Sequence, residues 1–98
     1  MDLKIAYRHL ESTPAIEEKI QKKAMKLKKY FNGKIDVSWI CSVESGLHNS
    51  EVTVSVPNFQ AHASASEENL YKTFDTVIEK LEKQLQKRNE QQKEKIHR

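Results

Sequence analysis

The sequence predicts an α+β fold, a two-layer sandwich in which two helices pack on one face of a four-stranded sheet, in the order β-α-β-β-β-α. Four segments alternate apolar and polar residues with period two, and two longer segments carry an apolar stripe with the helical period. Because each strand has one polar face, the sheet must bury its other face under the helices. With 98 residues, two glycines and two prolines, the chain is expected to form one domain with short loops.

The N-terminal third predicts one strand and one helix. The segment "LKIAY" (3–7) alternates apolar and polar side chains, as a half-buried strand does. The segment "STPAIEEKIQKKAMKLKKYFNG" predicts a helix, with Thr13 as N-cap and Pro14 at the first helical position. Asn32 and Gly33 predict its end.

The middle of the chain predicts two strands joined by a turn. The segment "KIDVSWICSVE" (34–44) alternates strongly, with Trp39 and Cys41 on the inward face. The segment "SGLHNS" (45–50) predicts the turn. The segment "EVTVSVP" (51–57) then predicts the next strand, which ends at its proline.

The last strand leads directly into a long helix. The segment "NFQAHASA" (58–65) predicts a strand with alanines on its buried face, and Ser66 is the expected N-cap of the helix that follows. The apolar stripe of that helix consists of Leu70, Phe74, Val77, Ile78, Leu81 and Leu85. Because the stripe ends there, the domain is expected to span 1–88, and 89–98 to form a polar tail that frays.

The composition predicts a cytoplasmic protein with no membrane partner. No segment approaches the roughly 18 apolar residues of a membrane span, and the N-terminus lacks the apolar run of a signal peptide. The single cysteine, Cys41, excludes an internal disulfide and is compatible with a reducing compartment.

The net charge of +3 is unevenly distributed along the chain. Residues 14–31 hold six lysines against two glutamates, a net charge of +4, whereas 32–66 hold one lysine against three acidic residues, a net charge of −2. At about 100° per residue, Lys22, Lys26 and Lys29 share one stripe of the first helix with Lys19, and Lys23 lies on its border.

The second helix divides its polar surface into two flanks. Its basic flank carries Lys80, Lys83 and Lys87. Its acidic flank carries Glu68, Asp75, Glu79 and Glu82. Such segregation favours a polyanion as partner, with a merely solvated lysine face as the alternative.

Nucleic acid is the polyanion that fits this pattern best. A basic amphipathic helix can lie on an anionic membrane, but here its apolar face is needed for the core of a small domain. Tyr7, Trp39 and Phe59 point inward by alternation, so base stacking on the sheet is not expected. Contacts to phosphates and to RNA shape are expected instead. A protein-interaction module that uses the split acidic and basic faces is the second hypothesis.

The sequence predicts no enzyme, and no metal, cofactor or small-molecule substrate. The four histidines lack metal-ligand spacing with Cys41, and no nucleophile or phosphate-loop motif is present. Cys41 falls on the inward face of a strand, where a small buried hydrophobe is expected. His62 falls on the outward face, as a solvent-facing residue or a contact to RNA.

Two stretches of the chain resemble the ribosome hibernation promoting factor family, also called ribosome-associated inhibitor A or sigma-54 modulation proteins. That family shows an alanine-serine-alanine strand end, a tyrosine, and a K-L-x-[RK]-Q-L-x-K run, which here are 63–65, Tyr71 and 80–87. A T-[EP]-A-[IL] helix start and a K-L-x-K-[YW] helix end match 13–16 and 26–30. The family usually has an aspartate two residues before the tyrosine, where this sequence has Asn69.

The resemblance implies a factor that binds the 30S subunit, alone or in the 70S ribosome, through 16S ribosomal RNA in the channel used by messenger and transfer RNA. It implies that translation is blocked by steric occlusion, and it leaves open whether dimeric 100S particles form. A short-form protein that is monomeric when free is expected. The RNA contacts carried over by position are Lys23, Lys26, Lys29, Lys80, Lys83 and Lys87. Lys22 is added from the geometry of the stripe, and Arg88 from its proximity to the run.

Overall fold

The computed structural model describes the backbone of residues 1–96 and the side chains of residues 1–91. The predicted order and the two-layer α+β architecture are confirmed within that part of the chain. The elements are β1 (Asp2–Arg8), α1 (Pro14–Met25), a 3₁₀ helix (Lys26–Tyr30), β2 (Asp36–Glu44), β3 (Leu47–Val56), β4 (Phe59–Glu67) and α2 (Leu70–Ile96).

The sheet has the strand order β1-β2-β3-β4, so its two edges are β1 and β4. β1 pairs in parallel with β2, and α1 forms the crossover between them. β2, β3 and β4 follow as two antiparallel hairpins, with Trp39 opposite Val52 and Val52 opposite Ala63. Both helices cover the same face of this sheet.

The core lies between the inner face of the sheet and the two helices. Trp39 is fully buried and meets Phe74 of α2 edge to face, with 5.5 Å between the ring centroids. Its indole nitrogen donates to the hydroxyl of Ser50, which shares a 2.7 Å hydrogen bond with Thr73. The three alanines of β4 are buried beneath α2, and every residue of the predicted apolar stripe of α2 is buried. The alternation and the helical stripe therefore predicted the core correctly.

The turn predicted over 45–50 is wrong, because β3 begins at Leu47. Ser45 and Gly46 alone connect β2 to β3, and both have positive φ, 52° and 78°. Two residues with positive φ form the tight hairpin turn that matches the twist of the strands. Leu47 then pairs directly with Glu44.

The predicted start of α2 is also wrong. Ser66 lies in β4 and bonds across the strands to Asn49, and Glu68 precedes the helix. Asn69 caps the helix instead, because its side-chain oxygen accepts from the amide of Tyr71 at 2.8 Å. The strand continues past its alanines because Glu67 still pairs with His48.

The first helix is divided, and the second extends past the predicted domain boundary at residue 88. Thr13 caps α1 as predicted, accepting from the amide of Ile16. The chain then winds as a 3₁₀ helix, in which side chains three residues apart eclipse, so that Lys29 lies above Lys26. The predicted tail is helical as far as Ile96, and its last two residues lie outside the described residues. Fraying of this tail stays a prediction.

Candidate nucleic-acid interface

The rotation of α2 decides how the two sets of lysines are arranged. Its acidic flank faces α1 and the 3₁₀ helix, where Asp75 pairs with Lys23 and Glu82 lies 3.3 Å from the amine of Lys29. Its basic flank faces β4, where the amine of Lys80 donates to the carbonyl of Ser64 at 2.8 Å. The two rows of lysines are therefore separated by an acidic row, in which Asp75 and Glu82 pair with the first row.

Three of the four predicted lysines before β2 have ion-pair partners. Lys23 is the most buried of them, with 20% of its side chain exposed, because it connects α1 to Asp75. Lys22 pairs with Glu18 one turn away, and both side chains are largely exposed. Lys26 is exposed and has no ion-pair partner among the described side chains. Among these four predicted contacts, Lys26 is thus the lysine most available to an anion, and Lys19 of the same stripe is likewise exposed without an ion-pair partner among the described side chains.

The pKa values of the paired groups follow these contacts. The hydrogen bond to Glu82 raises the pKa of Lys29, whose amine also lies 5.2 Å from the ring centre of Tyr30. The hydrogen bond from Lys23 holds the pKa of Asp75 below its ordinary value. Glu82 also accepts a 2.9 Å hydrogen bond from the hydroxyl of Tyr30. Both carboxylates therefore serve contacts between the helices.

On α2, Lys83 and Lys87 are the free members of the basic flank. Both side chains are exposed, and neither has an ion-pair partner in the described part of the chain. They lie one helical turn apart, at i and i+4, on the side of α2 that faces solvent. Lys80, the third member, is held by the edge of the sheet.

Arg88 occupies a different environment from the lysines. Its guanidinium lies 5.3 Å from the ring centre of Phe31 and 5.4 Å from that of Phe59, and its side chain is half-buried. The two rings come from the segment after the 3₁₀ helix and from the start of β4. These aromatic contacts hold Arg88 in place. Sequence spacing could not reveal them, because the rings are distant from Arg88 along the chain.

The outer face of the sheet offers no platform for base stacking within the described residues. Tyr7 and Phe59 are half-buried on the inner face, beside the buried Trp39. His62 is exposed on the outer face, as predicted, and its ring shares a 2.9 Å hydrogen bond with Thr53. The sheet therefore supports the helices rather than forming a base-reading surface.

Two further features concern chemistry and membranes. Cys41 is fully buried, and burial raises the pKa of its thiol to about 11, so it stays protonated at neutral pH. Among residues whose side chains are described, no group of three or more histidine, cysteine, aspartate or glutamate residues is placed to hold a metal ion. No described helix is long and apolar enough to cross a membrane.

The fold and this surface define a small basic α+β domain in which the free cations among residues 1–91 are concentrated on the helical layer. The chain belongs to the family described as sigma 54 modulation protein / S30EA ribosomal protein, whose model matches residues 3–93. Membership in this family confirms the resemblance found in the sequence.

One relative and two solved structures resemble this chain. The ribosome hibernation promoting factor of Escherichia coli strain K12 is 34% identical over 94 residues, which are 96% of this chain and 99% of the relative. The N-terminal domain of Thermus thermophilus Protein Y has a similar structure, with a TM-score of 0.84 and 26% identity over 89% of this chain and 98% of that one. A ribosomal subunit interface protein from Coxiella burnetii shares the fold, with a TM-score of 0.81 and 23% identity over 91% of this chain and 98% of that one.

Proposed function

We propose that this protein is a cytoplasmic ribosome hibernation factor that binds 16S ribosomal RNA of the small subunit through the lysines of its helical layer. Bound in the channel of messenger and transfer RNA, it would block translation by occupying space. One structural observation carries the proposal: among the described residues, most exposed lysines without an ion-pair partner lie on the helical layer, and Lys26, Lys83 and Lys87 are the predicted contacts among them whose amines also make no hydrogen bond. The family and the name of its E. coli relative support the choice of partner.

The proposed contacts are to phosphates and would position the domain without selecting a base sequence. Lysine amines neutralise phosphates and release condensed counterions, so affinity depends on the number of contacts and on salt. Steric occlusion needs affinity and shape but no reacting group. The half-exposed acidic row of α2 does not oppose this binding strongly, because Asp75 and Glu82 are already paired with lysines.

The paired cations would contribute in a second way. Lys23 and Lys80 hold the helices to each other and to β4, and Arg88 fixes the C-terminal half of α2 beside two aromatic rings. Lys29 remains 65% exposed beside Glu82 and can meet a phosphate without leaving its partner. These residues would therefore position the RNA-binding surface, while the unpaired lysines supply most of the affinity.

A charge-reversal experiment tests this proposal. The triple variant Lys26→Glu, Lys83→Glu, Lys87→Glu should lose co-sedimentation with 30S subunits at about 0.1 M salt, with affinity reduced at least tenfold. The matched control is Lys4→Glu, Arg8→Glu, Lys34→Glu, which changes the net charge equally at exposed positions outside the helical layer.

Comparing the two variants distinguishes binding through the lysines of the helical layer from an effect of net charge alone. Both variants should retain the circular dichroism spectrum of the parent, because all six side chains are exposed. Binding by the helical-layer variant as strong as that of the parent would contradict the proposal. Equal loss in both variants would show that net charge alone governs binding.

The structure does not favour the alternative of a protein-interaction module using the split faces. Asp75 and Glu82 of the acidic flank make contacts within the domain, so only Glu79 of that flank in α2 has no ion-pair partner among the described side chains. Co-purification before and after nuclease treatment distinguishes the two hypotheses, because an RNA-dependent association is lost when the RNA is digested.

A further inference from the structure

The two edges of the sheet differ in whether their outward-facing backbone groups are hydrogen-bonded. At the β4 edge, the amide side chain of Gln84 accepts from the backbone amide of His62 at 3.3 Å and donates to its carbonyl at 2.8 Å. Lys80 donates to the carbonyl of Ser64 on the same edge. These side chains of α2 satisfy backbone groups that a neighbouring strand would otherwise bond. The β4 edge is therefore partly closed to another strand.

The β1 edge is open. The amide of Asp2 donates to the carbonyl of Ile35 at 2.9 Å, so the backbone groups of Asp2 and of every second residue after it face β2. The backbone groups of Leu3, Ile5 and Tyr7 consequently face away from the sheet. In the described part of the chain, no loop or side chain bonds to them. β1 thus presents three pairs of free donors and acceptors.

A groove with an apolar part and a charged part accompanies this edge on the inner side of the sheet. It lies between β1 and α1, where Met1, Leu3, Ile5 and Met25 form its apolar part and the polar side chains Asp2, Glu18, Gln21, Lys22 and Lys28 line the rest. The two methionines are 40% and 53% exposed, which is unusual for side chains of this size in the domain. An open edge beside exposed apolar surface marks an interaction site.

We propose that β1 is a pairing surface for a second copy of this chain, joined antiparallel about a two-fold axis at Ile5. Leu3 of each copy would lie opposite Tyr7 of the other, and both have outward-facing backbone groups as that pairing requires. Asp2 of each copy would lie opposite Arg8 of the other on the wet face of the sheet. The strand is thus complementary to itself in charge, which an isologous interface demands.

Charge selects this register over its neighbours. A shift of the pairing by two positions in one direction places Lys4 opposite Lys4 of the second copy. The same shift in the other direction places Lys4 opposite Arg8 twice. Like charges directly opposite each other are unfavourable across strands. Shifts by one position are excluded, because they put the inward-facing backbone groups of one strand against the outward-facing groups of the other.

The interface is small, so the association is expected at high chain concentration or where two copies are held close together. One strand pair and the adjoining grooves bury less than the standard-size interface of about 1,600 Å². The inference does not depend on ribosome binding through Lys26, Lys83 and Lys87, which lie outside the groove, whereas the predicted RNA contact Lys22 lines it.

Complementary charge variants test the pairing. Asp2→Arg and Arg8→Asp each place two like charges opposite each other, so each variant alone should show at least a fivefold weaker concentration-dependent dimer than the parent in sedimentation velocity up to about 1 mM chain. An equimolar mixture of the two variants restores opposite charges at both positions. The mixture should therefore associate as the parent does, and so should the double variant carrying both substitutions.

Three results of this experiment would contradict the proposed pairing of β1 strands. A parent chain that stays monomeric up to about 1 mM, single variants that associate as the parent does, or a mixture that stays monomeric would each overturn the pairing. As a control, the variant with Lys26, Lys83 and Lys87 changed to glutamate should keep the dimer, which separates this inference from the proposed ribosome binding. Both β1 positions are exposed on the outer face, so the fold should be retained and can be checked by circular dichroism.

The register is tested separately by disulfide trapping. Lys4 should lie opposite Ala6 of the second copy in a non-hydrogen-bonded pair, with Cα atoms about 4.5 Å apart. A mixture of Lys4→Cys and Ala6→Cys chains should form the mixed disulfide at least fivefold faster than either chain forms a disulfide with itself. Cys41 does not compete, because it is buried. Faster self-pairing of either variant would refute this register.

Discussion

Single side chains form hydrogen bonds to backbone groups that have no partner within the helices and strands. Gln84 bonds both backbone groups of His62, and Asn69 bonds the amide of Tyr71 at the start of α2. In each case a side-chain amide supplies the hydrogen-bond partner that a neighbouring strand or a preceding helical turn would otherwise provide. These contacts decide where α2 begins and how it lies along β4.

The helix cap gives a prediction for individual residues. Asn69→Ala should lower the free energy of unfolding by about 1 kcal/mol, because the amide of Tyr71 loses its acceptor. Asn69→Asp should keep most of the stability, since a carboxylate accepts the same bond. Urea denaturation followed by circular dichroism measures both.

The matched control is Ser66→Ala, which changes the residue whose position suggested a cap. Ser66 is exposed in β4 and bonds to Asn49, so its loss should change the stability by less than about 0.5 kcal/mol. A larger cost for Ser66→Ala than for Asn69→Ala would show that the cap is assigned to the wrong residue.

At the scale of elements, ion pairs join the two helical segments across the top of the sheet. Lys23 of α1 reaches Asp75 of α2, and Lys29 of the 3₁₀ helix reaches Glu82, about two turns further along α2. The hydroxyl of Tyr30 strengthens the second contact. The lysines therefore also set how the helices pack.

The Asp75 pair predicts a pH dependence of stability. Because the pKa of Asp75 is lower in the folded chain, the unfolded chain takes up the proton first as pH falls. The pair therefore stabilises the fold above the ordinary carboxyl pKa of about 3.9, and this contribution is lost as pH falls through the lower folded value. Asp75→Asn should cost up to about 1 kcal/mol at pH 7 and nothing at the acid end.

Urea denaturation of the parent and of Asp75→Asn between pH 7 and the acid limit of folding measures this dependence. Glu18→Gln is a suitable control, because it removes an exposed pair within one helix, worth about 0.3–0.5 kcal/mol. A difference between the parent and Asp75→Asn that persists unchanged at low pH would contradict the assignment to the ion pair.

The whole molecule is elongated, with extents of 51 × 22 × 18 Å, because α2 continues beyond the sheet. At 1.5 Å per residue, its 27 residues span about 40 Å. The basic flank is thus displayed along a helix rather than on a loop. Such a surface can bring lysines to phosphates that are separated along an RNA groove.

This geometry predicts the salt dependence of ribosome binding. If Lys26, Lys83 and Lys87 each neutralise one phosphate, their joint replacement by alanine should lower the slope of log affinity against log salt by about 2 to 3. The measurement is a series of 30S binding isotherms between about 50 and 200 mM salt. The alanine variant of Lys4, Arg8 and Lys34 should keep the parental slope, and an unchanged slope in the first variant would exclude these contacts.

The sequence by itself determined the order of elements, the inward and outward faces, nearly all of the core and the concentration of lysines on the helices. These properties follow from the side-chain periods of strands (two residues) and helices (3.6 residues). Such periods are local, so they can be recognised in the sequence. The exact ends of the strands and of α2 were harder to predict, because the two-residue turn at Ser45–Gly46 and the Asn69 cap depend on backbone conformation.

Only the tertiary structure decided which cations are free. Lys23 and Lys29 meet carboxylates on α2 and Arg88 meets two aromatic rings, all through contacts between segments distant in sequence. A helical wheel places these residues on a face of the helix, but it does not show which side chains of the neighbouring element contact them. The rotation of α2 against α1 pairs Lys23 and Lys29 with carboxylates and separates the two basic rows, whereas Lys22 pairs with Glu18 within its own helix.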